Sequence, residues 1–177
     1  VVWLDKLGSM RQRCDRMAQV AKEIAIHLGL SPEEVASAER AALLSKTDLV
    51  TAMVGAFGDL QGVIGGEYAT LQGESKDVAE GIREQYLPSG ASDALPGTDV
   101  SACVALAERL DALVGIFGVG LIPRSNADPY GLRRASLGIL RILKGRGYSA
   151  AISWLLQAAY AAYRAQDNLS AFGQAEA

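Results

Sequence analysis

The sequence predicts an all-α protein, a bundle of about seven or eight helices. Apolar residues recur at spacings of three and four along most of the 177 residues, which is the period of one helix face. No stretch alternates between apolar and polar residues with the period of a strand. Serine, threonine or aspartate stands before several of the apolar stretches, where helix N-caps are expected.

The first three helices are predicted from one apolar stripe and from their caps. The stripe consists of Met10, Cys14, Met17, Ala21, Ile24 and Leu28. Ser31, followed by Pro32 and Glu34, predicts a capping box at the start of a second helix that ends at about Leu44. A third helix is expected from residue 47 or 48 to residue 57.

The middle of the chain is richer in glycine and proline. Three glycines fall in the helix predicted for residues 60 to 71, so we expect that helix to kink or to pack closely against a neighbour. A shorter helix is predicted for residues 76 to 87, and Pro88 ends it. Residues 89 to 99 are rich in Ser, Gly, Pro and Asp and are predicted to form a loop.

Three more helices are predicted in the C-terminal half. The first is a buried central helix whose apolar stripe consists of Cys103, Leu106, Leu110, Leu113 and Phe117. Asp128 and Pro129 are expected to cap and begin the next helix, which ends at about Lys144. Ser149 is expected to cap the last helix, which runs from Ala150 to about Gln166, and the alanine-rich tail is expected to fray after residue 168.

The composition excludes several classes of function. A net charge of -3 excludes a protein that is basic throughout, though not one with a local basic face. Two cysteines and one histidine are too few for a disulfide framework, a four-thiolate zinc site or a metal cage with two histidines. No signal peptide precedes the first helix, and the longest nearly apolar stretch is too short to span a bilayer, so no membrane contact is expected. The apolar opening without an initiator methionine suggests a segment of a longer chain.

The residues that most often carry chemistry are expected to be inert here. His27 lies off the apolar stripe near the end of the first helix, which favours a partly exposed surface histidine. Cys14 and Cys103 fall on apolar stripes, which predicts buried thiols. The chain carries no phosphate-binding glycine motif, and its paired carboxylates have no histidine beside them. No catalytic, cofactor-binding or metal-binding residues are therefore predicted.

Positive charge is concentrated on the helix predicted to end at about Lys144. At 100° per residue, four basic side chains fall within an arc of roughly 100°. They are Arg133, Arg134, Arg141 and Lys144. The opposite side, expected to dock on the core, consists of Leu132, Ser136, Ile139, Leu140 and Leu143. Arg124 and Arg146 could extend the basic side, which suits contact with a phosphate backbone. A solvated cationic face or internal ion pairs fit the same spacing, and both interpretations stay open.

Three segments of the sequence are distinctive enough to identify a family. They are AALLSKTDLVT at residues 41 to 51, LQGVIGGEYA at residues 60 to 69, and LAERLDALVGIFGVG at residues 106 to 120, which continues to DPYGLRRA at residues 128 to 135. Together they resemble the beta subunit of the bacterial-type heterotetrameric glycyl-tRNA synthetase, over about residues 5 to 148.

The resemblance implies a fold and a role. In that family this region is an HD-like helical domain, which here would cover residues 1 to 148, and residues 149 to 177 would form a C-terminal helix and tail leading toward the next domain. The family's enzyme attaches glycine to tRNA-Gly. Its alpha subunit performs the ATP-dependent chemistry, and its beta subunit chiefly binds tRNA. No cofactor is therefore expected in this segment, and tRNA, the alpha subunit and other beta-subunit domains are the expected partners, in the bacterial cytoplasm or the plastid stroma.

The resemblance also implies a degenerate metal site. True HD phosphohydrolases hold metal with a His, a His-Asp pair and a later Asp. Ser45 and Lys46 take the place of that pair here, and Glu108 takes the place of the late aspartate, with Asp111 one turn further on. An ammonium group has no lone pair to donate and repels a cation, so no phosphohydrolase activity is expected. Lys46 could offer its charge to an RNA phosphate or pair with Glu108 or Asp111, and both interpretations stay open.

The leading hypothesis is a tRNA-binding, non-catalytic domain of the ligase. Its proposed RNA contacts are Lys46, Arg124, Arg133, Arg134, Arg141 and Lys144. The alternatives are a structural module that braces neighbouring domains or the alpha subunit, and an HD-type metal phosphohydrolase.

Overall fold

The computed structural model describes residues 2–123 and 128–173, and in them the chain forms eight α-helices. They are α1 (Met10–His27), α2 (Pro32–Leu44), α3 (Ala52–Ala56), α4 (Val63–Leu71), α5 (Lys76–Arg83), α6 (Asp99–Gly118), α7 (Leu132–Arg146) and α8 (Ile152–Ala165). Short 3-10 helices occupy Thr47–Val50, Gly58–Leu60 and Asn168–Ala171. The all-α prediction is confirmed. No helix in the described part of the chain combines the length and the apolar character needed to cross a bilayer.

The amino terminus forms a small hairpin that the sequence did not predict. Strands β1 (Val2–Leu4) and β2 (Gly8–Ser9) pair in antiparallel fashion, and Leu7 in the connecting turn is fully buried. Strands of three and two residues are too short for alternation between apolar and polar residues to reveal them. The hairpin brings Trp3 over α1, where the guanidinium of Arg13 lies 4.1 Å from the indole centroid.

Capping boxes begin the first two helices. The Ser31 hydroxyl accepts from the Glu34 backbone and the Glu34 carboxylate accepts from Ser31, as predicted. Ser9 and Gln12 form the same reciprocal pair at the start of α1. That second box could have been predicted, because serine followed three residues later by glutamine is a known capping signal.

Helix α6 is the centre of the fold, as predicted. It packs against α1, α2, α5, α7 and α8, and almost every residue from Val100 to Leu113 is buried. Residues of α8 such as Leu155 and Tyr163 are buried in the same core, so α8 is part of this packing unit. A side chain at Gly115 would collide with the Tyr163 hydroxyl, and the glycine therefore lets α8 approach α6.

The glycines of α4 allow a close approach to α5, which confirms the packing expected of that region. A Cβ atom at Gly65 would lie 2.8 Å from the Ile82 side chain, and one at Gly66 would lie 2.9 Å from the Ala79 carbonyl oxygen. Gly62 precedes the helix with a φ of 83°, a value that favours glycine. Its backbone N–H donates to the buried carboxylate of Asp48 over 2.7 Å.

The third predicted helix is interrupted at Thr51. The 3-10 helix Thr47–Val50 ends there, and Thr51 adopts an extended conformation. Its hydroxyl donates to the Asp48 carbonyl over 2.7 Å and accepts from the Val54 backbone N–H, so it caps α3. A threonine that bonds the local backbone in this way favours a cap over a helix interior. Helix α5 is also shorter than predicted and ends at Arg83.

The start of α7 is displaced from the prediction by three residues. Gly131 adopts a left-handed conformation and α7 begins at Leu132, after Pro129. The cap itself is confirmed in modified form, because the Asp128 carboxylate accepts from the Leu132 and Arg133 backbone N–H groups over 2.7 and 3.0 Å.

The carboxy-terminal end also differs from the prediction. Helix α8 begins at Ile152 without a side-chain cap, so the capping expected from Ser149 is wrong. The first residues of the tail that is expected to fray form the 3-10 helix Asn168–Ala171, and the Gly173 N–H donates to the Gly118 carbonyl over 2.9 Å. Phe172 packs against Tyr163 with ring centroids 5.3 Å apart. The rest of the predicted tail, residues 174 to 177, lies outside the described residues.

Candidate functional site

Five charged side chains meet in the interior, between α1, the residues that follow α2, and α6. This buried charge cluster consists of Arg13, Arg16, Lys46, Glu108 and Asp111. Arg13 and Arg16 lie one turn apart on α1, and Glu108 and Asp111 lie one turn apart on α6. The regular spacing on two facing helices brings three cations and two carboxylates together.

Asp111 binds both arginines of α1. Its Oδ1 lies 2.6 Å from Arg16 Nε, and its Oδ2 accepts from Arg13 Nε and from Arg16 over 3.3 Å. The exposed fractions of the Arg16 and Asp111 side chains are 0% and 1%. Tyr163 completes this half of the cluster, since the Arg16 guanidinium lies 4.0 Å from its ring centroid and donates to its hydroxyl.

Glu108 lies between Arg13 and Lys46. Its Oε1 accepts from Arg13 over 2.8 Å and from Lys46 Nζ over 3.3 Å. Lys46 also donates to the Tyr86 hydroxyl over 2.8 Å, and its side chain is only 2% exposed. Of the two interpretations of Lys46, the ion pair with Glu108 is confirmed. The ammonium is covered by protein in this structure.

The pKa values of both ionic partners are lowered, that of Lys46 by burial and that of Glu108 by the cations around it. Burial alone would raise the pKa of Glu108, but the charges of Lys46, Arg13 and Arg109 outweigh burial and lower it to about 2. Burial lowers the pKa of Lys46 to about 8; Glu108 opposes this shift and the neighbouring Arg13 adds to it. The carboxylate is therefore ionised throughout the neutral range, and the cluster carries a net positive charge.

The cluster has the donor chemistry of an ion-pair network rather than that of a metal site. Both carboxylates accept from cationic side chains, and the three positive charges around them repel a metal ion. Among the described residues, no three side chains of His, Cys, Asp or Glu converge as a metal-binding group.

His27 and the two cysteines are placed as expected. His27 is exposed and stacks on Trp154 with ring centroids 4.0 Å apart. Cys14 and Cys103 are buried, and burial raises the pKa of the Cys103 thiol to about 12. These predictions are confirmed.

The predicted basic side of α7 is exposed in part. Arg133, Arg134 and Lys144 are exposed, and Arg134 and Lys144 form no ion pair within the described residues. Arg141 instead binds the loop before α6, donating to the Gly90 and Asp93 carbonyl oxygens. Those acceptors are neutral, so the positive charge of Arg141 is retained. We call Arg133, Arg134, Arg141 and Lys144 the basic face of α7.

Two other predictions for this region have mixed outcomes. Arg146 pairs with Asp99 over 2.5 Å and so joins an internal ion pair. Arg124 lies outside the described residues. On the opposite side of α7, Leu132, Ile139 and Leu143 are buried as expected, whereas Ser136 and Leu140 are exposed.

A groove beside α7 explains why Leu140 is exposed. It has a volume of about 560 Å³ and an almost wholly apolar lining from α6, α7 and α8. We call it the apolar groove, and the exposed side chains that line it include Phe117, Leu140, Ile152, Leu156 and Tyr160.

Three buried arginines in and around the buried charge cluster were not identified from the sequence. Arg13, Arg16 and Arg109 are all buried, and their partners are other parts of the chain. A signal was present for two of them, because Arg13 and Arg16 adjoin Cys14 and Met17 of the apolar stripe of α1. Arginine beside a core stripe often reaches a buried carboxylate, since burying an unpaired guanidinium is costly.

The chain is similar throughout its length to one protein family. A family model described as glycyl-tRNA synthetase beta subunit matches residues 1–175. The glycine–tRNA ligase beta subunit of Neisseria gonorrhoeae (strain ATCC 700825 / FA 1090) is 49% identical over 160 residues, which are 90% of this chain and 23% of the relative. The corresponding subunit of Streptococcus pyogenes serotype M49 (strain NZ131) is 47% identical over 160 residues, 90% of this chain and 24% of the relative. The chain thus spans about a quarter of the length of these curated relatives.

Proposed function

The chain belongs to the glycyl-tRNA synthetase beta subunit family, and we propose that it is a tRNA-binding, non-catalytic domain of a glycine–tRNA ligase. In this proposal the chemistry, including the use of ATP, takes place on the alpha subunit. The segment contributes a surface that holds tRNA-Gly, together with contacts to the alpha subunit and to the rest of the beta subunit. We assign this work to the bacterial cytoplasm. The plastid stroma expected as an alternative has no support, because the relatives described above are bacterial.

The buried charge cluster supports the non-catalytic part of the proposal. We propose that the fold is HD-like and that the cluster stands where a metal site would be. Lys46 Nζ, 3.3 Å from Glu108, supplies the positive charge at that place. An ammonium held by a carboxylate cannot activate water as a metal ion does, so the cluster stabilises the fold and does not hydrolyse phosphate esters.

The basic face of α7 supports RNA binding, and it is the observation on which this part of the proposal depends. Arg134 and Lys144 are exposed and make no ion pair with any described residue, and Arg141 keeps its charge. Cations without carboxylate partners are available to phosphates, and the release of counterions from RNA favours such contacts. Lys46 is left out of this surface because its ammonium is covered.

Charge reversal on this face tests the proposal. In the double variant Arg134→Glu/Lys144→Glu we expect binding of tRNA-Gly to weaken by about a hundredfold. The negative slope of log K against log salt concentration should become less steep by about two. The measurement is a titration followed by fluorescence anisotropy at several salt concentrations.

The matched control is Lys22→Glu/Lys76→Glu, which changes the net charge equally but lies on α1 and α5. Neither α1 nor α5 is among the helices that pack extensively against α7. An equal loss in the control would show that overall charge, not this face, determines affinity. Unchanged affinity of Arg134→Glu/Lys144→Glu for tRNA-Gly would reject the basic face of α7 as the RNA-binding surface.

A bracing role is the second candidate, and the apolar groove favours it. Large apolar patches are rare on the surface of isolated proteins and usually mark contacts. Crosslinking of the assembled ligase to tRNA-Gly separates the two functions, because a domain that only braces its neighbours yields no RNA adducts on α7.

A further inference from the structure

A second concave site lies beside the buried charge cluster, between the amino-terminal hairpin, α6 and the start of α7. It has a volume of about 550 Å³ and a mixed polar and aromatic lining. We call it the arginine cleft, and its charged and aromatic lining residues are Trp3, Arg13, Tyr86, Glu108, Arg109, Tyr130 and Arg134. The cleft is continuous with the basic face of α7, because Arg134 belongs to both.

The lining of the cleft is positively charged. Three arginines and one carboxylate line it. Arg109 donates to the carbonyl oxygens of Gln85, Ala105, Tyr86 and Pro88, which fix the guanidinium without cancelling its charge. Arg134 forms no ion pair within the described residues. An anionic ligand is therefore favoured over a neutral or cationic one.

Aromatic rings stand at the edges of the same cleft. Trp3 is held by the Arg13 guanidinium, 4.1 Å from its ring centroid. Tyr86 is fixed by Lys46, whose ammonium lies 4.1 Å from the Tyr86 centroid. Tyr130 is 42% exposed, so its ring is open to a ligand. Rings next to arginines form stacking sites for unpaired bases.

Glu108 adds an acceptor to this set. Its Oε1 accepts hydrogen bonds from Arg13 and Lys46, whereas its Oε2 accepts no hydrogen bond from a described residue. The Glu108 side chain is 15% exposed. The surrounding cations keep the carboxylate ionised. A base with an exocyclic amine can donate to this oxygen, and this is the way in which carboxylates bind cytosine.

We propose that the arginine cleft binds one unpaired nucleotide of an RNA. The base stacks on Tyr130, its exocyclic amine donates to Glu108, and the phosphate contacts Arg134. The inference rests on the proposed RNA-binding function and adds to it, because the basic face alone would bind a duplex through its phosphates with no preference for an unpaired base.

The two tryptophans of the chain provide a direct assay. Trp3 lines the cleft, and Trp154 stacks on His27 elsewhere, so Trp154→Phe leaves Trp3 as the only tryptophan of these 177 residues. In this background we expect CMP to change the Trp3 emission at millimolar concentration, and UMP to bind about tenfold more weakly. Ribose 5-phosphate and inorganic phosphate should leave the emission unchanged over the same range.

Tyr130 is the residue to vary, because within the described residues no hydrogen bond or cation–π contact joins its side chain to the buried charge cluster. Tyr130→Ala should weaken CMP binding about tenfold, and Tyr130→Phe should restore it, since stacking needs only the ring. Circular dichroism and thermal unfolding of each variant confirm that the fold is intact. An equal response to inorganic phosphate, equal binding of UMP, or no effect of Tyr130→Ala would overturn the proposal.

A duplex RNA separates failure of this inference from failure of the proposed function. The basic face should bind the duplex, and Lys144→Glu should weaken that binding while Tyr130→Ala leaves it unchanged. Duplex binding without any response to CMP would reject the cleft but retain the function. The absence of binding to either RNA would reject both, and a response to an acidic peptide in place of CMP would assign the cleft to a protein partner.

Discussion

The buried charge cluster and the basic face of α7 both contain arginine and lysine, but in the cluster these side chains are buried in ion pairs and on α7 most of them are exposed. In the cluster, Arg16 is fully covered and meets Asp111 over 2.6 Å. On α7, Arg134 is exposed and meets no carboxylate of the described chain. Residue type therefore does not decide the role. An arginine stabilises the fold where it is buried opposite a carboxylate. An exposed arginine without a carboxylate beside it is available to a ligand.

The largest effect is expected when the cluster loses a carboxylate. Asp111→Asn leaves Arg16 without a carboxylate partner and Arg13 with Glu108 alone, and the unpaired buried charge should lower the free energy of unfolding by about 3–5 kcal/mol. Urea denaturation measures the change. Asp15→Asn is the control, because Asp15 pairs with Arg11 at the surface and its loss should cost less than about 0.5 kcal/mol. Equal losses would show that burial of the pair is unimportant.

The cluster should also make stability depend on acid pH. The pKa of Glu108 is about 2 in the folded chain, below its ordinary value of 4.5, so the unfolded chain takes up the proton first as the pH falls. The stabilisation is complete above pH 4.5 and is lost as the pH falls toward 2, by about 3 kcal/mol at most.

The difference in the free energy of unfolding between the wild type and Glu108→Gln measures the stabilisation that comes from the Glu108 carboxylate. That difference should narrow as the pH is lowered through the same range, as followed by urea denaturation at a series of pH values. A constant difference would mean that Glu108 has an ordinary pKa in the folded chain.

A smaller effect is expected on the basic face of α7, where Arg141 holds the loop before α6. Arg141→Ala removes two hydrogen bonds to Gly90 and Asp93, which should cost about 1 kcal/mol. Hydrogen exchange of the loop amides should accelerate, while amides of α6 keep their protection. Unchanged exchange in the loop would show that Arg141 does not hold it.

The comparison also explains which features could be predicted from the sequence. The helices and the basic face of α7 follow from local spacing, because their residues are neighbours on one helix. The cluster joins residues far apart, as with Arg13 and Asp111, which lie 98 positions from each other. No local pattern shows that two helices will face each other in that register.

The errors at helix ends have a related cause. Thr51 and Asp128 both cap a helix, but a capping side chain can accept from any of several nearby backbone N–H groups. The sequence does not show which of these groups is chosen, so the predicted first residue of the helix is displaced. Trp3 and Tyr130 of the arginine cleft were not found because each stands in a short hairpin or turn, and only the folded chain brings them next to Arg109.

The most direct test compares one lysine from each region in a single assay of binding to duplex RNA. Lys46→Met replaces the covered ammonium of the cluster, and Lys144→Glu reverses an exposed charge of α7. We expect the dissociation constant to stay within about twofold for Lys46→Met and to rise about tenfold for Lys144→Glu. A tenfold rise for a correctly folded Lys46→Met protein, with no change for Lys144→Glu, would contradict the division of roles between the two regions.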